Sequence, residues 1–143
     1  MSRVSVCKRV EFDAAHRLLG YDGMCANIHG HRYVVELTLS GYVNEATGFV
    51  VDFSHIKSLF KKWLDLRWDH HVILHPDDAL VNILRANEQL VFCDKSLGNP
   101  TAENMARYLF NLAAELFGNL DAWIELVRVY ETPNSWAEAR ADF

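Results

Sequence analysis

Two stretches of alternating apolar and polar residues constrain the fold of this chain more than any other feature of its sequence. In residues 4–12 and 32–43, apolar side chains recur at two-residue spacing over most of each stretch. These residues are Val4, Val6, Val10 and Phe12 in the first stretch and Tyr33, Val35, Leu37, Leu39 and Val43 in the second. Because successive side chains of a strand point to opposite faces, each stretch predicts a half-buried strand, and the two can pair with each other.

Two amphipathic helices are predicted after these strands. Asp52 or Ser54 can cap the first helix, and Asn99 or Thr101 can cap the second, which Gly118 ends. The apolar residues at helical spacing are Phe53, Ile56, Phe60, Trp63 and Leu64 in the first and Met105, Tyr108, Leu109, Leu112 and Leu116 in the second. The intervening residues 71–98 are weakly patterned, with a short helix predicted around residues 78–86.

Residues 123–131 and 135–141 predict two further strands, joined by the turn "TPN". The order ββααββ predicts one α+β domain spanning residues 1–143, in which two helices cover one face of a four-stranded antiparallel sheet. Such a sheet leaves two open edges, so we expect homo-oligomerisation through them.

Composition excludes several classes of partner. The chain has 14 Lys and Arg against 19 Asp and Glu, a net charge of −5, whereas a nucleic-acid-binding surface needs a basic excess. No apolar run approaches the roughly 20 residues of a membrane span, so no membrane role is expected.

The chain has three widely spaced cysteines and lacks a secretory signal pattern. These features predict free thiols and a cytoplasmic location.

Three histidines form a candidate zinc site. His29 and His31 are two residues apart, so on a strand their imidazoles point the same way. His16 follows the first alternating stretch and can lie opposite them if the first two strands pair. Three neutral imidazoles with an open fourth position are the ligand set of a catalytic zinc. The alternative is that they are ordinary surface or turn residues.

Cys25 leaves two chemical interpretations open. As a fourth ligand it would complete a tetrahedral, purely structural zinc site. Alternatively, a nearby zinc and a histidine partner would make it a thiolate base. The candidate partner is His70, which Asp69 precedes, although residues adjacent in sequence need not bond to each other. Glu131, at a strand end, could accept hydrogen bonds from a pterin or guanine edge, but most such glutamates are only solvated.

Taken together, the motifs resemble those of the 6-pyruvoyltetrahydropterin and 6-carboxytetrahydropterin synthase family. The matching motifs, in order from Phe12 to Thr132, are "FDAAHRL", "CANIHGH", "TGFVVDF", "DHH", "NPTAEN" and "VYET". The resemblance implies the tunnelling fold, in which sheets of several subunits close into a barrel. It also implies a homo-oligomer, expected to be a hexamer, with active sites at the subunit interfaces.

Transferred to this sequence, the resemblance makes His16, His29 and His31 ligands of Zn²⁺ and Cys25 the catalytic thiol. It makes Asp69 and His70 the other members of a proton relay, which is expected to meet Cys25 across a subunit interface. Glu131 would anchor a pterin ring, aided by Thr101.

Within the family, the three residues between Cys25 and His29 favour the carboxy branch. That branch implies a zinc-dependent lyase that converts 7,8-dihydroneopterin triphosphate to 6-carboxy-5,6,7,8-tetrahydropterin, acetaldehyde and triphosphate in queuosine biosynthesis. Arg17, Arg32 and Lys95 are candidates for binding the triphosphate. The alternatives are the 6-pyruvoyl product, a structural-zinc binding module and a metal-free relative such as a nitrile reductase or cyclohydrolase.

Overall fold

Two long strands form the centre of the structure, a computed structural model that describes residues 2–142. Strands β1 (Arg3–His16) and β2 (His29–Tyr42) are antiparallel and paired over their whole length. Both strands are longer than the predicted stretches 4–12 and 32–43: β1 continues to His16, and β2 already begins at His29. The two strands therefore end with histidines directly opposite each other.

Four more strands complete the sheet: β3 (Val72–Ile73), β4 (Val91–Phe92), β5 (Ala122–Thr132) and β6 (Ser135–Arg140). The spatial order is β4-β3-β1-β2-β5-β6. Strands β1, β2, β5 and β6 are the predicted antiparallel sheet, and their prediction is confirmed. The sheet is nevertheless larger and mixed, because β3 and β4 add parallel pairs beside β1. Two-residue strands show no period, so alternation could not reveal them.

Both predicted helices are present, each with one of its predicted caps. The first consists of consecutive helical segments, Phe53–Ile56, Lys57–Lys61 and Lys62–Arg67, the middle one with π geometry. Asp52 caps it by accepting a hydrogen bond from the Ser54 N–H. Thr101 caps the second helix, Ala102–Leu116, through the Asn104 N–H. A short helix, Leu80–Ala86, lies where one was predicted.

One hydrophobic core joins the helices to one face of the sheet. Its sheet residues include Phe12, Tyr33, Val35, Leu37, Val127 and Val129, and its helix residues include Ile56, Phe60, Leu64, Met105, Leu109 and Ala113. Each fully buried Val, Leu, Ile, Phe or Met side chain stabilises the folded state by about 1.5–3 kcal/mol. The α+β class is therefore confirmed.

Across residues 2–142, none of the helices has the length and apolar character needed to cross a bilayer.

Candidate metal centre and active site

The pairing of β1 with β2 brings the three predicted histidine ligands together. His16 lies directly opposite His29, and His31 follows two residues later on the same side of β2. One ring nitrogen from each residue lies within 4.8 Å of the other two. The centroids of the His16 and His29 rings are 4.6 Å apart, and those of the His29 and His31 rings are 4.9 Å apart. The three imidazoles therefore converge as a metal site requires.

Hydrogen bonds fix which ring nitrogens are free. The carbonyl oxygens of Pro100 and Asn27 can only accept, so the Nδ1 atoms of His16 and His29 donate to them, over 2.7 and 2.8 Å respectively. In a neutral ring with Nδ1 protonated, Nε2 has a lone pair and no proton. These two Nε2 atoms lie 3.1 Å apart. Two facing lone pairs repel each other unless a cation lies between them, so the donor set fits a bound metal ion.

The third histidine has a nitrogen that also lacks a partner. Within residues 2–142, Nε2 of His31 is buried and forms no hydrogen bond. A buried polar atom without a partner costs free energy, which coordination of a metal would recover. The His31 Nε2 atom is 4.0 Å from a carboxylate oxygen of Glu131, beyond hydrogen-bonding distance.

The surroundings keep two of the imidazoles neutral. Burial lowers the pKa of His16 to about 4; the bond to Pro100 opposes this shift, and His29 and His31 add to it. Burial likewise lowers the pKa of His31, against the charge of Glu131. Neutral imidazole is the form that binds metals, so these two residues are ready to coordinate at neutral pH.

Tyr33, which the sequence did not indicate as a site residue, packs against two histidines of this cluster. The Tyr33 ring lies edge-on to the rings of His16 and His31, at centroid distances of 5.9 and 5.4 Å, and stacks on Phe12 at 5.3 Å. Its hydroxyl is buried without a hydrogen-bond partner inside residues 2–142. The available signal was position: Tyr33 is two residues after His31 and therefore points to the same face.

Cys25 lies in the loop between the two strands that carry the histidines, and it does not join their ligand group. It is half-buried in a short 3₁₀ turn, Met24–Ala26, in the loop between β1 and β2. The histidine ligand group found in the described chain does not include its sulfur. This geometry favours a thiol outside the coordination shell over the structural-zinc alternative.

Asp69 and His70 do bond to each other, which adjacency alone did not require. Oδ2 of Asp69 lies 3.0 Å from Nδ1 of His70. The Asp13 N–H donates to the other oxygen of Asp69 over 3.1 Å, and the His70 N–H donates to the Asp13 carbonyl over 2.7 Å. His70 has a φ of 60°, an uncommon conformation for a residue other than glycine.

The electrostatics of this pair keep the carboxylate ionised. Partial burial acts to raise the pKa of Asp69, but the Asp13 N–H, the His70 ring and the charge of Arg32 together lower it. Because Asp69 accepts from Nδ1, the other ring nitrogen of His70 stays free for proton transfer. The His70 side chain is 73% exposed. No hydrogen bond joins it to Cys25 within the part of the chain that the structure describes.

Comparison with known proteins decides the family. The family model described as 6-pyruvoyl tetrahydropterin synthase matches residues 5–142. The chain belongs to the 6-pyruvoyl tetrahydropterin synthase family. Among curated family members, the 6-carboxy-5,6,7,8-tetrahydropterin synthase of Rickettsia felis is 38% identical, covering 94% of this chain and 99% of its own. The Haemophilus influenzae protein of the same name is 34% identical, covering 93% of this chain and 96% of its own.

Solved structures of the family confirm the tunnelling fold. The Caenorhabditis elegans 6-pyruvoyl tetrahydropterin synthase aligns with a TM-score of 0.74 and 26% identity, covering 99% of this chain and 98% of its own. The Plasmodium falciparum 6-pyruvoyl tetrahydropterin synthase aligns with a TM-score of 0.76 and 25% identity, and all of both chains is covered.

Two further residues expected from the family resemblance lie beside the cluster. Glu131 is half-buried near the end of β5, close to His31. Thr101 accepts the Asn104 N–H over 3.1 Å as a helix cap, and it follows the residue whose carbonyl binds His16. A pterin-binding role for either residue remains a prediction.

The structure separates the three basic candidates for triphosphate binding. Arg17 donates two hydrogen bonds to the carboxylate of Asp78, which is fully buried, so its charge is already paired. Arg32 forms an exposed ion pair with Asp13 over 3.0 Å. Lys95 is exposed and has no ion pair in the described residues. Arg32, whose ion pair is exposed, and Lys95 are therefore freer than Arg17 to bind an anion.

Proposed function

We propose that this protein is a zinc-dependent 6-carboxy-5,6,7,8-tetrahydropterin synthase. It would convert 7,8-dihydroneopterin triphosphate and one molecule of water to 6-carboxy-5,6,7,8-tetrahydropterin, acetaldehyde and triphosphate. Family members of that name cover almost the whole chain, and the spacing of Cys25 and His29 supports the same branch. The observation that carries the proposal is the convergence of three imidazoles on one point, with two lone pairs facing each other.

His16, His29 and His31 would hold the metal and leave a fourth position open. When bound, zinc would supply a Lewis acid that polarises the side-chain hydroxyls of the substrate. The protein's part is to keep the imidazoles of His16 and His31 neutral and to fix the Nδ1 atoms of His16 and His29 with the carbonyls of Pro100 and Asn27. This leaves the ligand nitrogens oriented before the metal arrives.

Protons would be moved by Cys25 and His70. Asp69 holds the Nδ1 side of the His70 ring, which leaves Nε2 to take or give a proton at the substrate. Cys25 would act on the other side as a thiolate. Because the two residues form no hydrogen bond within the described chain, we place their meeting across a subunit interface of a homo-oligomer, expected to be a hexamer.

The remaining residues would bind and orient the substrate. The carboxylate of Glu131 would accept hydrogen bonds from the amino group and ring N–H of the pterin, aided by the Thr101 hydroxyl. Arg32 and Lys95 would meet the triphosphate. We propose that the enzyme acts in the cytoplasm, in the pathway to queuosine.

Product analysis tests the proposal. The zinc-loaded protein is incubated with 7,8-dihydroneopterin triphosphate, and the products are identified by mass spectrometry, beside Cys25→Ala and the control Cys7→Ala, which removes an exposed thiol on β1. We expect 6-carboxy-5,6,7,8-tetrahydropterin and acetaldehyde from the parent and the control only, with zinc retained by all three proteins. No turnover by the zinc-bound parent would reject the substrate.

A second candidate function is formation of 6-pyruvoyltetrahydropterin. It is favoured by the likeness to the C. elegans structure, whose protein is named for that activity. The same mass spectra distinguish the two products. Loss of zinc and stability in Cys25→Ala would instead support a structural-zinc module.

A further inference from the structure

The loop that carries Cys25 is held by hydrogen bonds. None of the residues 17–28 is buried. Asn99 binds both polar backbone groups of Leu19: its Oδ1 accepts from the N–H over 2.8 Å, and its Nδ2 donates to the carbonyl over 2.9 Å. Leu18 in turn donates its N–H to the Cys25 carbonyl over 2.9 Å. The bonded backbone of Leu18 and Leu19 thus connects Asn99 to the residue that bears the thiol, with hydrogen bonds at both of its ends.

The next residue after Asn99 holds a histidine of the metal cluster. The Pro100 carbonyl accepts from Nδ1 of His16 over 2.7 Å. Asn99 is itself fixed, because its carbonyl accepts from the Asn104 side chain and from the Thr101 N–H, each over 2.9 Å. Two adjacent residues of one rigid segment therefore contact the thiol-bearing loop on one side and the metal cluster on the other.

We infer that Asn99 is a positioning residue whose carboxamide sets the place of the Cys25 thiol relative to the three histidines. This inference rests on the proposed function for its catalytic consequence. Only a carboxamide suits the site among side chains of this size, because the partners are one N–H and one C=O of the same residue. An aspartate would place a carboxylate oxygen against the Leu19 carbonyl, and a leucine would offer neither bond.

The test uses Asn99→Asp in a Cys7→Ser, Cys93→Ser background, where Cys25 is the one remaining cysteine of the sequence. The matched control is Asn87→Asp, which also removes an amide donor to a backbone carbonyl, that of Ile83. Three quantities are measured: zinc content, the rate constant of Cys25 alkylation by iodoacetamide, and kcat and KM separately.

We expect Asn99→Asp to retain zinc and to change the alkylation rate constant severalfold. Its kcat should fall about tenfold to a hundredfold with little change in KM, since displacing a catalytic group by about 1 Å has effects of this size. Asn87→Asp should match the parent in all three. Unchanged alkylation and kcat in a folded Asn99→Asp protein would overturn the inference.

The alkylation readout separates this inference from the proposed function. If the parent shows no turnover, the proposed function fails, while a changed alkylation rate still supports Asn99 as the anchor of the loop. If Asn99→Asp does not fold, the test is instead made on the parent protein by hydrogen exchange. Slow exchange of the Leu19 amide, resolved residue by residue by NMR, supports the anchor, and exchange at the unprotected rate refutes it.

Discussion

Nε2 of His16 and Nε2 of His29 lie 3.1 Å apart, although each ring already uses its proton on a backbone carbonyl. Neither nitrogen of this close pair can donate to the other when both rings are neutral. The core around His16, which is 2% exposed, prevents its ring from turning away toward water. The fold therefore keeps the lone pairs of the two Nε2 atoms close together, and a cation bound to both would stabilise this arrangement.

Replacing His29 with alanine should remove most of the bound zinc. Two imidazoles would remain, one fewer than the three protein ligands of a catalytic zinc site. Elemental analysis after dialysis should find about one zinc ion per chain in the parent and well under half of that in His29→Ala. His55→Ala removes a histidine of the first helix whose ring packs on Phe117, outside the ligand group, and should retain the parent's zinc. Equal zinc in His29→Ala and the parent would contradict the proposed site.

Glu131→Gln should weaken substrate binding more than it slows the reaction. The amide keeps the size of the side chain but removes one charge-assisted acceptor, which is worth about 1.5–3 kcal/mol, so KM should rise roughly tenfold to a hundredfold. Steady-state kinetics measure this change. The control is Glu125→Gln on the same strand, whose carboxylate accepts from Ser5. A parent-like KM for Glu131→Gln would remove Glu131 from the pterin site.

Asp69→Asn should lower kcat while leaving the fold intact. The asparagine can still accept from the Asp13 N–H, but it loses the negative charge that stabilises a protonated His70. Loss of a proton-transfer group typically costs about 10² to 10⁴ in rate, and we expect the lower end because His70 itself remains. Stopped assays with product quantification measure kcat. Asp121→Asn, an exposed carboxylate elsewhere, should not change it.

Asp78→Asn should destabilise the protein in a pH-dependent way. The hydrogen bonds from Arg17 lower the pKa of Asp78; burial opposes this shift, and the Leu80 N–H adds to it. A carboxyl whose pKa is lowered by folding stabilises the native state above its ordinary pKa of about 3.9, and this stability is lost as the pH falls through the folded value. The difference in unfolding free energy between parent and variant should therefore be about 3–5 kcal/mol at pH 7 and shrink below about pH 4.

Urea unfolding followed by tryptophan fluorescence measures this difference at each pH. Asp65→Asn removes an exposed ion pair with Lys61 on a helix and should cost no more than about 0.5 kcal/mol. A difference between parent and Asp78→Asn that does not change between pH 7 and pH 3.5 would show that the Asp78 charge is not the stabilising group.

Local patterns predicted most of the fold because the forces behind them are local. Alternation in β1 and β2 records which face of the sheet is buried, and the caps at Asp52 and Thr101 reflect hydrogen bonds that span only two or three residues. The strands β3 and β4 were missed because each has two residues and is held by neighbours from distant parts of the chain. The anchoring of Leu19 by Asn99 was missed for the same reason, since 80 residues separate them.

The spacing of His29 and His31 is enough to predict that they share a face, because side chains on a strand repeat every two residues. Pairing of the first two strands then made His16 their expected neighbour. Folding of the whole chain turns the free nitrogens toward one another, because the carbonyls that orient the rings come from Asn27 and from Pro100, which is 84 residues from His16. It also decided that Asp69 bonds to His70, through a left-handed backbone at His70 held by the Asp13 carbonyl. Ligand types are a property of local sequence, whereas the directions of their lone pairs depend on contacts that only the folded chain creates.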